Sequence, residues 1–397
     1  MSAYRTIDDL DVAGRRVLVR VDFNVPMKDG AVAEATRLER ALPAIEELSD
    51  KGAKVILLSH FGRPGGKREE KDSLRPVAKK LEELLGRKVR FADDCVGAEA
   101  AAVANAMTNG DVAVFENTRF HKGEETNDPD FVRALAANGD FFVNDAFSAA
   151  HRAHASTEGL AHVRPAAAGR AMEKELDYLA AALSNPARPL IAIVGGAKVS
   201  TKIALLLNLV GKADMLVVGG GMANTFLYAK GISVGKSLCE PDLAATAREI
   251  MAQARERGCE MVLPVDVVVA REFREHAAND VRAADAVKED EMILDLGPDS
   301  VDLIASKIES AKTLVWNGPL GAFETKPFDT ATLEAARYAA RRAKSGRLVA
   351  VAGGGDTVAA LAAAGVEDDF TYVSTAGGAF LEWLEGKDLP GVAALKK

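Results

Sequence analysis

Short apolar runs alternate with longer amphipathic stretches along almost the whole chain. The runs of the first half are rich in Val, Ile, Leu or Phe and predict strands at residues 17–21, 54–58, 112–115 and 141–143. The stretches between them space their apolar residues at helical intervals and predict helices at residues 37–48, 74–85, 98–107 and 129–137. Continuous apolar strands that alternate with helices are typical of a parallel sheet covered on both faces. The predicted fold class is therefore α/β.

The second half repeats this plan. Strands are predicted at residues 190–194, 215–218, 261–263, 313–316 and 348–351, with a further short strand before Ser374. A helix-forming stretch at 171–183, followed by Pro186 and Pro189, separates the two halves. We therefore expect two doubly wound, Rossmann-like domains at 1–170 and 189–379, joined by a linker helix and hinge at 171–188, with a cleft between them.

Length, charge and cysteine use restrict the class of protein. A chain of 397 residues exceeds the size of about 250 to 300 residues at which single cores stop growing. The N-terminal stretch is polar and no apolar run is long enough to cross a membrane, so we expect a soluble, cytoplasmic protein without a membrane partner. The net charge of -8 argues against a nucleic-acid partner, and three scattered cysteines predict no disulfide framework.

Polar residues occupy alternate positions after the first predicted strand. Arg20, Asp22 and Asn24 lie on one side of an extended segment, where a half-buried strand would be expected to carry apolar side chains. A structural Asp–Arg pair at a solvated strand end explains these three residues as well as a binding role does. The other strand ends of this half add the evidence that a binding role needs.

Arginine and histidine follow each of the other strands in the first half. The arginines are Arg37, which opens the first helix, and Arg63, Arg119 and Arg152. Four converging arginines repel one another unless an anion joins them, so they predict a receptor for a small substrate with several negative charges. In the alternative interpretation, each arginine pairs with an acid at the surface. This explains a single arginine well, but it is a weak explanation for four arginines at strand ends of one domain. The histidines, His60, His121, His151 and His154, suggest a metal site as an alternative, but no cysteine accompanies them and the glutamate of a metalloprotease motif is absent.

Glycine closely follows several strands of the second half. Residues 195–202 combine two glycines with Lys198 and Lys202, which are four apart and expected on one face of a helix start. Phosphoryl oxygens between the two lysines would relieve their repulsion, although two solvated lysines explain this motif better when it is taken alone. Further glycine-rich junctions at 219–221, 353–357 and 374–378 expose backbone amides to anions.

Side chains near these junctions predict a nucleotide site. Asp356 offers a carboxylate to Mg²⁺, and Thr357 offers a hydroxyl to phosphate. The loop at 317–324 ends in Glu324, an acid that could accept hydrogen bonds from ribose hydroxyls. The Walker-like stretch 231–237 has one residue too few between its glycines, and the dinucleotide fingerprint lacks its third glycine, so a nicotinamide-dependent oxidoreductase is the weaker alternative.

Residues 16–26, RVLVRVDFNVP, resemble the signature of the phosphoglycerate kinase family, and the later motifs follow in the order of that family. The resemblance covers nearly the whole chain. It implies a substrate site made of Asp22, Phe23, Asn24, Arg37, His60, Phe61, Gly62, Arg63, Arg119 and Arg152. It implies a nucleotide site made of Lys202, Asn317, Glu324, Gly354, Gly355, Asp356 and Thr357, with Asp356 as the ligand of Mg²⁺.

The resemblance also implies a reaction. In glycolysis and gluconeogenesis, a phosphoryl group would pass directly and reversibly between 1,3-bisphosphoglycerate and ADP, giving 3-phosphoglycerate and ATP. Arg37, Lys198, Lys202 and the amides near Gly377 are expected to stabilise the transferring group, so that no protein nucleophile is needed. The expected partners are these small molecules, and the expected oligomeric state is a monomer. The two domains are expected to close on the substrates, and segment 380–397 is expected to return to the first domain.

Two departures from the family pattern stand out. Ala376 replaces a frequent glycine, and Ser148-Ala149 replace a frequent Gly-Thr pair. The methyl group of Ala376 is expected to narrow the backbone torsions there and to tune activity without abolishing it. A non-catalytic, anion-binding scaffold with the same two-lobed fold is the alternative from another functional class, although the retained charged residues argue against it.

Overall fold

The computed structural model describes residues 4–397, which form two compact units. The first unit extends to Leu176 and also contains Asp388–Lys397, and the second unit is Asp177–Lys387. The division between them falls inside one helix, Arg170–Leu179. Segment 380–387 lies in the second unit, so the predicted return to the first unit begins at Asp388 and not at residue 380. The reason is local, because the helix Gly378–Leu384 packs on the helix Ile203–Val210 and the Leu384 carbonyl accepts a hydrogen bond from Asn208 Nδ2.

The first unit contains eight strands and seven α-helices among its described residues, one of which it shares with the second unit. Its strands are β1 (Arg16–Arg20), β2 (Met27–Lys28), β3 (Ala31–Val32), β4 (Lys54–Leu58), β5 (Val89–Ala92), β6 (Val112–Phe115), β7 (Phe141–Asn144) and β8 (Ala166–Ala168). Its helices are α1 (Thr36–Asp50), α2 (Arg75–Leu85), α3 (Gly97–Asn105), α4 (Pro129–Ala136), α5 (Leu160–Val163), the shared α6 (Arg170–Leu179) and, near the end of the chain, α14 (Pro390–Ala393).

The main sheet of the first unit is parallel and has the order β5-β6-β4-β1-β7-β8. Its central strands are buried on both faces, as their continuous apolar sequences predict. Local signals also fix the helices: Asp128 accepts hydrogen bonds from the amides of Asp130 and Phe131 and so caps α4, and Pro129 occupies its first turn. Because β6, β4, β1 and β7 are parallel neighbours in this sheet, their carboxyl ends lie side by side at one edge.

The second unit follows the same plan. Its strands are β9 (Leu190–Val194), β10 (Met215–Val218), β11 (Glu260–Val262), β12 (Asp266–Ala270), β13 (Asn279–Ala283), β14 (Met292–Leu296), β15 (Thr313–Asn317), β16 (Val349–Gly353) and β17 (Tyr372–Ser374). Its helices are α7 (Ile203–Val210), α8 (Gly221–Ala229), α9 (Ala244–Glu256), α10 (Pro298–Ser310), α11 (Thr330–Lys344), α12 (Gly355–Ala364) and α13 (Gly378–Leu384).

Two sheets form the second unit. The parallel sheet has the order β11-β10-β9-β15-β16-β17, and a separate antiparallel sheet has the order β13-β12-β14. Each strand predicted from an apolar run is present with ends shifted by no more than about two residues. The antiparallel sheet, the hairpin β2-β3 and the short strands β5 and β8 were not predicted. Within residues 4–397, none of the helices combines the length and apolar composition needed to cross a bilayer.

Candidate functional site

A basic site in the first unit is built from the carboxyl ends of four adjacent strands. Arg20 ends β1, His60 follows β4, Arg119 follows β6, and Arg152 lies beyond β7. Because the four strands run parallel and are neighbours in the sheet, residues far apart in sequence meet at this edge.

The buried guanidinium of Arg20 fixes the state of His60. Arg20 Nη2 lies 2.9 Å from His60 Nδ1, and since an arginine can only donate, Nδ1 is the acceptor and the ring proton resides on Nε2. Burial holds the pKa of His60 well below its usual value, and the charges of Arg20, Arg119 and Arg152 lower it further. His60 is therefore a neutral ring that donates a hydrogen bond through Nε2.

The arginines act on one another electrostatically, as a shared site requires. Burial lowers the pKa of Arg119, the carboxylate of Glu125 at 3.1 Å raises it, and the charges of Arg152 and Arg63 lower it again. Burial and the charges of Arg119, Arg20 and Arg152 reduce the pKa of His154 to about 4. Positive charge is thus concentrated here, because the arginines outnumber the nearby acids, and this favours binding of an anion.

A chain of hydrogen bonds connects the strand ends. Arg37 Nη1 donates to Asp22 Oδ2 at 2.8 Å and to the Asn24 carbonyl at 3.0 Å. Asn24 Oδ1 accepts from the amide of Gly62 at 2.9 Å, and the Gly62 carbonyl accepts from Arg119 Nη1 at 2.8 Å. Asp22, Asn24, Arg37, Gly62 and Arg119 therefore form one group connected by hydrogen bonds.

The remaining residues assigned to the substrate site differ in exposure. The side chains of Phe23 and Phe61 are buried, so they support the loops and present no side-chain group to a ligand. Arg63 is exposed and Arg152 is half-buried, with Arg152 Nε donating to His151 Nε2 at 3.1 Å. These two arginines remain accessible to a ligand.

One part of the argument against a metal site was wrong. Cys95 does accompany a histidine in space, because Asp94, Cys95 and His121 place ligand atoms within 4.8 Å of one another. The amides of Cys95 and Val96 donate to Asp94 Oδ1, and His121 Nε2 lies 2.7 Å from the same oxygen. One carboxylate oxygen thus joins two backbone amides and the ring of His121 by hydrogen bonds.

Glycine turns at the ends of β9, β10, β15 and β16 form the corresponding edge of the second unit. A Cβ atom at Gly195 would overlap the carbonyl of Pro319, so glycine is required for the close approach of these two loops. Next to them lies a groove of about 520 Å³. Its lining combines the backbone of Gly196 and Gly220 with apolar side chains such as Leu238 and Leu294, a surface that suits a flat aromatic ring.

Lys202 lies beneath these turns and is held by acceptors. Its Nζ donates to the Gly195 carbonyl and to Asn317 Oδ1, each at 2.7 Å. Burial lowers the pKa of Lys202 to about 8, although the carboxylate of Asp356 acts in the opposite direction. Asn317 is itself oriented, since its Nδ2 donates to the Gly353 carbonyl at 2.9 Å.

The prediction that Lys198 and Lys202 share one helix face is wrong. A 3-10 turn at Val199–Thr201 separates them, and α7 begins only at Ile203. Lys198 is exposed in extended conformation. The i,i+4 rule applies to continuous α-helix and fails across this turn.

The glycine-rich junction 353–357 forms the start of α12. Gly354 caps this helix at a φ of 99°, and Gly355 and Asp356 are exposed in the first turn. Thr357 is buried, and its hydroxyl accepts a hydrogen bond from the amide of Gly318 at 2.7 Å. The positive end of the helix, the exposed carboxylate of Asp356 and the amine of Lys202 thus lie near the groove, which Asp356 also lines.

Two further residues complete this edge. Glu324 is exposed and lines the groove, and Gly377 precedes α13 at a φ of 55°. The neighbouring Ala376 is not among the positive-φ residues of the described chain, so its methyl group does not strain the backbone there. The expected effect of this methyl group on activity stays a prediction.

Sequence reasoning missed one buried acid of the basic site. Glu124 is fully buried, and its carboxylate accepts a hydrogen bond from Ser156 Oγ at 2.5 Å. The same serine hydroxyl accepts a hydrogen bond from Arg20 Nε at 2.9 Å. Glu124 thereby balances the buried charge of Arg20 through a shared serine. Its signal in the sequence is weak, since it lies in a polar loop, HKGEETND, that resembles any solvated turn.

Comparison with known proteins agrees over the whole chain. A sequence model of the family described as phosphoglycerate kinase matches residues 7–387. The phosphoglycerate kinase of Chelativorans sp. (strain BNC1) is 64% identical over 398 residues, with 100% of both chains covered. That of Brucella abortus is 64% identical over 394 residues, covering 99% of this chain and 100% of the relative.

Solved structures give the same result. Phosphoglycerate kinase from Coxiella burnetii has a TM-score of 0.93 at 43% identity, covering 99% of this chain and 98% of that one. Phosphoglycerate kinase from Pyrococcus horikoshii OT3 has a TM-score of 0.79 at 30% identity, covering 98% of each chain. From the basic strand ends of one unit, the glycine turns of the other and these full-length matches, we conclude that the chain belongs to the phosphoglycerate kinase family.

Proposed function

We propose that this enzyme transfers a phosphoryl group reversibly between 1,3-bisphosphoglycerate and ADP, forming 3-phosphoglycerate and ATP. The observation that carries the proposal is the convergence of arginines and a neutral, hydrogen-bond-donating histidine at four adjacent strand ends of the first unit. A glycerate that carries a carboxylate and a phosphate supplies the negative charges that such a site needs. The full-length relatives support the same assignment.

The roles of the residues in the first unit follow from their positions. Exposed Arg63, half-buried Arg152 and buried Arg119 hold the distal phosphate, and His60 donates through Nε2. Asp22 and Asn24 hold the glycerate hydroxyl and carboxyl end. Arg37, which is linked to both, meets the charge on the transferring group.

The nucleotide occupies the second unit. Its base lies in the groove, Glu324 accepts from the ribose hydroxyls, and the first turn of α12 with Lys202 meets the phosphates. Asn317 orients Lys202, and Lys198 and the amides near Gly377 approach the transferring group during turnover.

The residues present fit a magnesium ion that accompanies the nucleotide. Asp356 presents an exposed carboxylate and makes no ion pair with any residue between 4 and 397, so an oxygen ligand is available beside the phosphates. The ion, when bound, neutralises charge on the phosphate oxygens. The chain itself orients the two substrates, and transfer is direct, because no nucleophilic side chain is required. We also propose that the protein is a monomer in the cytoplasm and that residues 171–188 act as a hinge.

The lowered pKa of Lys202 predicts a pH dependence. Below its pKa of about 8 the amine is charged and attracts phosphate, and as pH rises through that value the charge is lost. We expect kcat/KM for Mg-ATP, which reports the free enzyme, to fall above about pH 8. In Lys202→Arg, whose side chain stays charged, that alkaline fall should disappear even if overall activity is lower. The same alkaline fall in both proteins would assign it to another group.

A coupled assay with ATP, Mg²⁺ and 3-phosphoglycerate tests the proposed function. Turnover should require all three components, and chelation of Mg²⁺ should abolish it reversibly. A well-folded preparation that binds 3-phosphoglycerate without turning it over would instead support the non-catalytic, anion-binding scaffold.

A further inference from the structure

Ser148 contacts the group that links the glycerate ligands to Arg37. It lies in the 3-10 turn Phe147–Ala149 beyond β7, and its Oγ donates to Asp22 Oδ2 at 2.5 Å. The two residues are separated by 126 positions along the chain. The contact therefore joins the loop after β7 to the loop after β1, the neighbouring strand.

Three donors within the protein hold the carboxylate of Asp22. Oδ2 receives hydrogen bonds from both Ser148 and Arg37 Nη1, the latter at 2.8 Å, and Oδ1 accepts from the amide of Asn24 at 3.1 Å. Its side chain is only 13% exposed, so little water is available to replace a lost donor. A carboxylate held by three donors has one orientation, and the guanidinium paired with it is oriented as well.

We propose that Ser148 is a positioning residue for the transfer reaction, which fixes Asp22 and, through it, Arg37. This inference rests on the proposed function, since Asp22 and Arg37 receive their roles there. The effect is indirect, because Ser148 orients the groups that meet the substrate.

Ser148→Ala removes the hydroxyl and leaves the fold of the turn intact, because alanine adopts the same backbone conformations. Loss of one hydrogen bond to a charged group should lower kcat/KM for 3-phosphoglycerate by about 5- to 20-fold. KM for Mg-ATP should stay within about twofold, because the nucleotide residues belong to the other unit. Ser148→Thr restores the hydroxyl at this half-buried position, and activity should recover to near the wild-type value.

Kinetics of the variants, a matched control and calorimetric binding together test the role of Ser148. Ser306→Ala is the matched control, because this exposed hydroxyl donates only to the Leu303 carbonyl of α10. Unchanged kinetics for 3-phosphoglycerate in Ser148→Ala, an equal rise in KM for both substrates, or failure of Ser148→Thr to recover would each overturn the inference. Wild-type turnover tests the proposed function separately. Calorimetric binding of 3-phosphoglycerate to wild type, Ser148→Ala and Ser148→Thr tests the role of Ser148 even where turnover is absent.

Discussion

Arg37→Ala should lower kcat by about 10³-fold while changing KM for 3-phosphoglycerate only modestly, the loss expected for an arginine that meets charge in a phosphoryl-transfer transition state. Arg37 is suited to this role because its side chain is 37% exposed and its pairing with Asp22 and the Asn24 carbonyl uses Nη1 alone. The rest of the guanidinium is available to a transferring group. Steady-state kinetics with both substrates measures the effect.

Two further arginine variants serve as comparisons for Arg37→Ala. Arg40→Ala changes an exposed arginine one turn further along α1 and should leave the kinetics near the wild-type values. Arg63→Ala removes an exposed arginine assigned to the distal phosphate and should raise KM more than it lowers kcat, because uniform binding contacts affect KM. If Arg37→Ala retains near-normal kcat and merely binds 3-phosphoglycerate less tightly, Arg37 is a binding residue and the catalytic assignment is wrong.

Asp356→Ala should reduce kcat/KM for the Mg-nucleotide by about 10²-fold or more, because the only proposed protein ligand of the ion is lost and several kcal/mol of charge stabilisation with it. Affinity of the free enzyme for 3-phosphoglycerate should remain within about twofold of wild type, since the two sets of residues lie in different units. Coupled kinetics and calorimetric binding of each substrate to the free enzyme check the two halves of this prediction.

Asp368→Ala provides the matched control for Asp356→Ala. Asp368 is an exposed acid in the turn Glu367–Asp369 just beyond α12, so its removal changes net charge by the same amount at a neighbouring place. This control should retain the wild-type kinetics. Equal loss of affinity for both substrates in Asp356→Ala would contradict the assignment of the two sites to separate units.

The parallel sheets were predictable because their strands carry a strong local signal. A run such as Leu190–Val194 is apolar throughout, and the structure buries all of it. The three alanines of β8 carry no comparable β preference, and β13 is polar and largely exposed, so neither could be recognised as a strand. Pairing with neighbours, and not local sequence, stabilises these two strands.

The site was predictable to the extent that it depends on strand order. Polar residues at the carboxyl ends of parallel strands meet at one edge, which is why Arg119 and His60 could be placed together from their positions alone. The buried acid Glu124 and the link from Ser148 to Asp22 join distant loops through single side-chain atoms. No periodicity or spacing records such contacts, and the failed helix-face prediction for Lys198 shows the limit of local rules.

The placement of the C-terminal segment has a consequence for the order of synthesis. Gly391, in α14, donates its amide to the Ala150 carbonyl at 2.9 Å, and its own carbonyl accepts from Asn144 Nδ2 at 3.3 Å. The ribosome makes these residues after the whole of the second unit, although they pack against the loop beyond β7 in the first. A nascent chain can therefore fold the second unit before residues 388–397 are available. Until then, the loop that carries Ser148 and Arg152 lacks its hydrogen bonds and packing contacts with α14.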